Sequence, residues 1–228
     1  MFDNSKINSF EWGELYYFEL GIDIGISSFR TLNINIEESF NSTRNRFEQN
    51  LNDDETLNSL DEESHASYYS QNFERIEMTI NELQRQQRYS ICLSMLSFFE
   101  GQLKSLSDII EGKFNLRVKR VKGKSDLFNY WNYFKNIIEL DTDKMELFFN
   151  SIEAQKEARN RIAHHGGLVD EDKVNVIKIG FGVSLKAIGS KYQIEITDKS
   201  YADYLLDNIE AFFKELLIAI NTKYKKQE

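Results

Sequence analysis

The sequence predicts a mainly α-helical bundle with a small β-hairpin before its last helix. Three observations predict it. Proline is absent from all 228 residues, so the strongest helix breaker never interrupts the chain. Apolar residues recur three or four apart over long stretches, the spacing of a buried helix face. Between residues 174 and 197 that period gives way to alternation, which marks strands.

The elements follow in order. Residues 9–29, SFEWGELYYFELGIDIGISSF, are apolar but interrupted by glycines, and predict one or two short elements. Residues 30–51 predict a helix weakened by asparagines. Residues 52–64, NDDETLNSLDEES, hold six acids and predict a linker or the solvated start of a helix. Residues 66–111 carry Phe73, Ile76, Ile80 and Leu83, then Ile91, Met95, Phe98, Phe99, Leu103, Leu106 and Ile110. They predict one very long helix or two stacked ones, with Gly112 as the stop. Residues 113–124, KFNLRVKRVKGK, predict a basic loop. Ser125 caps a helix running to about residue 139, and a further helix covers 144–163. VNVIKIGFG (174–182) and KYQIEIT (191–197), with Gly189-Ser190 between them, predict the hairpin. Residues 200–223 predict the closing helix, which buries Tyr204, Leu205, Ile209, Phe212, Phe213, Leu216, Leu217 and Ile220. The polar tail KYKKQE is expected to fray.

Composition narrows the function classes. Hydrophobic residues make up 41% and aromatics 13%, enough for a core, so disorder is excluded. A formal net charge of −9 argues against binding nucleic acid with the whole surface, but not against a local basic site. The single cysteine, Cys92, forms no internal disulfide and reads as a buried core thiol. No basic start leads into a long apolar stretch, and no run reaches the ~20 apolar residues of a membrane span. A cytoplasmic protein without membrane association is the expectation.

The stretch that carries chemistry is EARNRIAHHGG, residues 157–167, which holds two of the three histidines. Arg159 and His164 lie about 140° apart on an unbroken helix. The glycines Gly166 and Gly167 permit the left-handed turn that ends a helix, which would let His164 or His165 leave register and face Arg159's pocket. Such a pair suits metal-free RNA cleavage. Histidine titrates in the range needed to take the 2′-hydroxyl proton or protonate the leaving 5′-oxygen. Arginine holds the phosphate while charge builds on it, and Asn160 can orient either. Neither a cysteine nor a carboxylate pair stands nearby to complete a zinc site, so no metal and no cofactor are expected. The same residues also suit plain helix capping. Basic groups favour the negative end of a helix, and asparagine and glycine favour the turn.

Arg159-Asn160-x-x-x-His164 resembles the R-N-x3-H form of the R-x4-6-H motif of the HEPN superfamily. SMLSFFEGQLK, with Glu100 at a polar position, resembles that family's earlier core helix. YADYLLDNIEAFFKELL resembles its final helix. The resemblance spans residues 66–223. It implies an HEPN-like helical domain over 66–228, preceded by a 1–65 helical extension of unknown role. It implies a metal-independent endoribonuclease that cleaves single-stranded RNA and leaves a 2′,3′-cyclic phosphate. It also implies a homodimer whose motifs face one cleft, a toxin or phage-defence role, and an antitoxin or defence partner. Arg159 would stabilise the phosphate, His164 would be the acid or base, and Asn160 would orient it, assisted by His165, Arg161 and Glu100. His165 fits the spacing as well as His164. Gly166 stands where a tyrosine-modified variant of the family has its tyrosine, so that variant is not indicated.

Blander readings stand beside these. The alternative function is a non-catalytic dimerisation or RNA-binding module. Arg161 is a solvated arginine or a phosphate contact. Glu100 is either the partner of Arg159 or His164, or a residue at the edge of the buried stripe. Arg117, Lys119, Arg120 and Lys122 contact RNA phosphates or form a solvated loop. Trp131 and Tyr133 read as core rather than as base-stacking platforms.

Overall fold

The computed structural model describes residues 13–177 and 181–225. Among these lie eight α-helices: α1 (Gly13–Asn52), α2 (Glu55–Ser59), α3 (Glu62–Asn72), α4 (Glu74–Phe114), α5 (Asp126–Asn132), α6 (Asp143–Glu153), α7 (Lys156–His165) and α8 (Ser200–Lys225). Three short strands, β1 (Leu168–Asp170), β2 (Val183–Ile188) and β3 (Lys191–Ile196), form one antiparallel sheet in the order β1-β3-β2 before α8. The protein is therefore mainly α with a small sheet before the last helix, as the periodicity predicts. No helix among the described residues is long and apolar enough to cross a membrane.

The apolar spacing of α8 and α4 explains the centre of the bundle. Leu205, Ile209, Phe212, Phe213, Leu216, Leu217 and Ile220 are buried on α8, and Met95, Phe99, Leu103, Leu106 and Ile110 on α4. Phe99 meets Phe212 edge-on at 5.2 Å, and Trp131 stacks on Phe149 at 4.3 Å. Such contacts add to the gain from burying the rings. Trp131 and Tyr133 are core residues.

The N-terminal segment departs from expectation. From Gly13 onward it is one 40-residue helix, not one or two short elements followed by another. Residues 9–12 lie outside the described residues. Leu15, Phe18, Ile22 and Ile26 join the same core as α4 and α8. Gly25 lets α1 approach Phe98 of α4. A Cβ there would lie 2.5 Å from the Phe98 ring, so the helix-weakening glycine makes room for an aromatic partner. Further along, Arg88 of α4 reaches Glu37 of α1 at 2.6 Å and donates to the Ile196 and Thr197 carbonyls at 2.7 Å. α1, α4 and the end of β3 are thereby tied together.

Smaller corrections have local causes. The acidic stretch 52–64 is largely helical. Asp54 and Asp61 cap α2 and α3 by accepting from the Leu57 and Ser64 amides at 2.7 and 2.9 Å, the ordinary use of Asp at a helix start. Gly112 does not stop α4, which runs on until Asn115 takes a left-handed φ of 56°. Ile76 and Leu83 are exposed although Ile80 between them is buried; here α4 also meets α1 through polar contacts, Arg44 bonding to Asn81. Ser125 caps α5 as expected, accepting from the Phe128 amide at 3.3 Å. That helix ends in a π-helical turn over Tyr133–Ile137. The expected 144–163 helix is split at Ala154 and Gln155 into α6 and α7. The first hairpin strand is displaced. Residues 171–176 form a 3-10 turn, 178–180 lie outside the described residues, and the strand is Val183–Ile188. The tail residues 226–228 also lie outside.

Candidate functional site

The break at Ala154 and Gln155 sets the direction of α7. Gln155 is buried, and its side-chain Oε1 accepts from the Tyr201 hydroxyl at 3.1 Å. Ala158 and Ile162 face the core. The other faces of this ten-residue helix carry the polar motif.

Arg159 faces a cleft of about 230 Å3 between α4, α5, α6 and α7. Leu96, Phe99, Leu127 and Ile152 give it an apolar lining, and Glu100, Ser125, Asp126, Lys156 and Arg159 give it polar groups. Arg159 Nη2 stands 3.6 Å from Glu100 Oε2, with the two side chains 30% and 39% exposed. At that exposure the pair contributes little to stability. Glu100 is therefore at the edge of the buried stripe and beside Arg159 at once. Arg159 Nη1 also donates to Asn160 Oδ1 at 3.3 Å. Arg161 lies on another side of the helix, bound to Glu157 at 3.0 Å.

The histidines do not enter this cleft. Both His164 and His165 are exposed and remain within α7. The left-handed turn begins only at Gly166, with φ of 59° there and 82° at Gly167. The expected departure of a histidine from register therefore does not occur, and Arg159 and His164 keep the roughly 140° separation of helical geometry. Neither histidine side chain forms a hydrogen bond or ion pair with another described residue. Asp170 lies near His165, and its carboxyl is held below the usual range chiefly by Lys191 at 3.0 Å, with lesser help from Arg161 and His165.

The turn after the histidines is pinned from two sides. Gln193 Nε2 on β3 donates to the Gly166 carbonyl at 3.0 Å and to the Tyr89 hydroxyl at 2.7 Å. Arg85 Nη1 on α4 donates to the same carbonyl at 3.2 Å. The Tyr89 hydroxyl donates to the Ile194 carbonyl. Burial lifts the Tyr89 phenol above its usual range, against the hydrogen bond from Gln193, so the hydroxyl keeps its proton. Gly167 is required where it stands. Any Cβ would overlap the Tyr89 hydroxyl and lie 2.5 Å from Gln193 Nε2.

The basic loop is exposed throughout Arg117, Lys119, Arg120 and Lys122. Arg117 approaches Glu111 at 3.6 Å, and Lys124 lies over the Phe128 ring at 5.1 Å. The loop leads directly into Ser125 and Asp126 at the cleft. Sequence reading missed Lys156, Asp126, Tyr89, Arg85 and Gln193. Lys156 is legible as the i−3 neighbour of Arg159 on one helix face. The other contacts exist only once α4, α5 and β3 are assembled. No protein-family model, curated protein sequence or solved structure matches the chain.

Proposed function

We propose that the protein is a metal-independent endoribonuclease of HEPN type that cleaves single-stranded RNA as a homodimer. The observation that carries this reading is the rigidly held end of α7. Two exposed histidines precede a turn pinned by Gln193 and Arg85, and one turn earlier Arg159 lines a cleft and donates to Asn160. A histidine takes the proton from the 2′-hydroxyl. The 2′-oxygen then attacks phosphorus, and the 5′-oxygen leaves with a proton from an acid. The products are a 2′,3′-cyclic phosphate and a 5′-hydroxyl. Arg159 stabilises the phosphate charge as it builds. Because Arg159 and His164 diverge on one helix, the complete site takes its histidine from a second copy. A cytoplasmic toxin or abortive-infection effector, restrained by an antitoxin or defence partner, is the role that the resemblance suggests.

One observation favours the second reading, a non-catalytic dimerisation or RNA-binding module: Arg159 already has Glu100 as a neighbour, and the histidines face solvent. RNA cleavage in excess EDTA separates the two. Wild type should cut, Arg159→Ala should not, and either His164→Ala or His165→Ala should fail. Folded, dimeric wild type that leaves RNA intact would establish the second reading.

A further inference from the structure

We propose that the cleft beside Arg159 is a base pocket that selects guanine in the RNA strand. The inference rests on the ribonuclease reading for its ligand class. Its geometry is separate, because the cleft lies on the side of α7 away from the histidines.

Size is the first argument. Pockets for drug-sized ligands span about 300–1,000 Å3. At about 230 Å3 this cleft admits one ring system and leaves the sugar and phosphate outside. Leu96, Phe99, Leu127 and Ile152 form its apolar lining, the kind of wall against which a few placed polar groups orient a small ligand.

Charge placement is the second. Lys156 and Arg159 sit three residues apart on α7 and both line the cleft. Lys156 forms no ion pair with any described residue. Arg159 is only 3.6 Å from Glu100, too far for a tight charge-assisted hydrogen bond. Both cations are thus available to a phosphate at the mouth.

The acceptors decide the base. Glu100 and Asp126 both line the cleft. No hydrogen bond from another described residue occupies either carboxylate. An ionised carboxylate only accepts, through two oxygens side by side. Guanine presents two adjacent donors, N1–H and the N2 amino group, and so matches a carboxylate bidentately. Adenine and cytosine present one amino group each on that edge, and uracil one N–H between two acceptors. Ser125 Oγ, which accepts from the Phe128 amide, still has its hydroxyl proton to donate to the O6 acceptor of guanine.

The test is calorimetric binding of guanosine, adenosine, cytidine and uridine 3′-monophosphates to the full chain, in wild type, Glu100→Gln and Asp126→Asn. The 3′-phosphate occupies the position of the phosphate that Arg159 would hold. Wild type should prefer the guanosine nucleotide by about tenfold, the scale of one good bidentate base contact. At least one of the two variants should erase that preference while still binding weakly to all four. A merely structural role would weaken all four alike and would overturn the inference, as would equal binding of the four, a preference for another base, or no binding. RNA cleavage by a protein that binds no nucleotide would remove the pocket and keep the ribonuclease. Guanine-selective binding without cleavage would do the reverse.

Discussion

Gln193 Nε2 donates to the Gly166 carbonyl at 3.0 Å. A side chain on the last strand thus holds the turn that ends the motif helix. The same amide reaches the Tyr89 hydroxyl at 2.7 Å, so the turn is referenced to α4 as well. The paired glycines should therefore differ in tolerance. Gly167→Ala adds a left-handed penalty to a collision with Tyr89 and Gln193, and should cost about 2–4 kcal/mol. Gly166→Ala meets nothing within 4 Å and should cost only about 1 kcal/mol. Urea unfolding of the two variants checks the order, and equal losses would contradict the pinned turn.

The Arg88–Glu37 pair fastens α1 to α4. Arg88 is 8% exposed and satisfies two carbonyls besides its carboxylate partner. Arg88→Ala strands all three acceptors and should cost about 3–5 kcal/mol in chemical denaturation. Replacing both members by apolar residues of similar size should recover much of that loss. A double variant as unstable as the single one would mean that the two carbonyl bonds dominate.

Fold class was legible because α8 and the second half of α4 keep a strict helical period, and nearly every residue it marks is buried. α1 was not legible as one helix, since Gly21 and Gly25 read as breaks. Only Phe98, on a helix more than seventy residues away, explains why Gly25 belongs there. Alternation over 174–182 puts the first strand too early, whereas the run 191–197 matches β3 to within a residue. At the site, the Arg159–Glu100 neighbourhood could be anticipated from an acid on an otherwise apolar helix. The register of the histidines could not. It depends on where the left-handed turn begins, and hydrogen bonds from β3 and α4 hold that turn.

The seam between α1 and α8 should give the fold a pH dependence. Burial, and secondarily Asp23, lifts the Glu19 carboxyl to about 7, with Lys214 opposing. Its Oε2 is buried without a hydrogen-bond partner. The folded protein therefore holds this proton more tightly than the unfolded chain does between pH 4.5 and about 7. Stability should fall as pH rises through that window and stay lower above it. Allowing for solvent screening, the drop should be about 1 kcal/mol. Glu19→Gln should flatten this part of the profile in melts between pH 5 and 8. An unchanged slope would place the titration elsewhere, for instance at Asp23, whose carboxyl is also raised by burial and by Glu210.

The basic loop supplies a prediction about salt. Lys119, Arg120 and Lys122 are exposed and form no ion pair with a described residue. The chain carries a net charge of −9, so its other surfaces repel a phosphate backbone and these cations become the local attraction. Single-strand binding loses affinity with salt by a slope of about 0.7 per phosphate neutralised. Changing all three residues to glutamine should lower the slope of log affinity against log salt by about 2. It should weaken every RNA sequence alike, because phosphate contacts position the strand without reading it. Fluorescence anisotropy with labelled single-stranded RNA between 50 and 200 mM salt gives the slope directly. An unaltered slope would assign the loop to solvent and leave Lys156 and Arg159 as the cations that meet the strand.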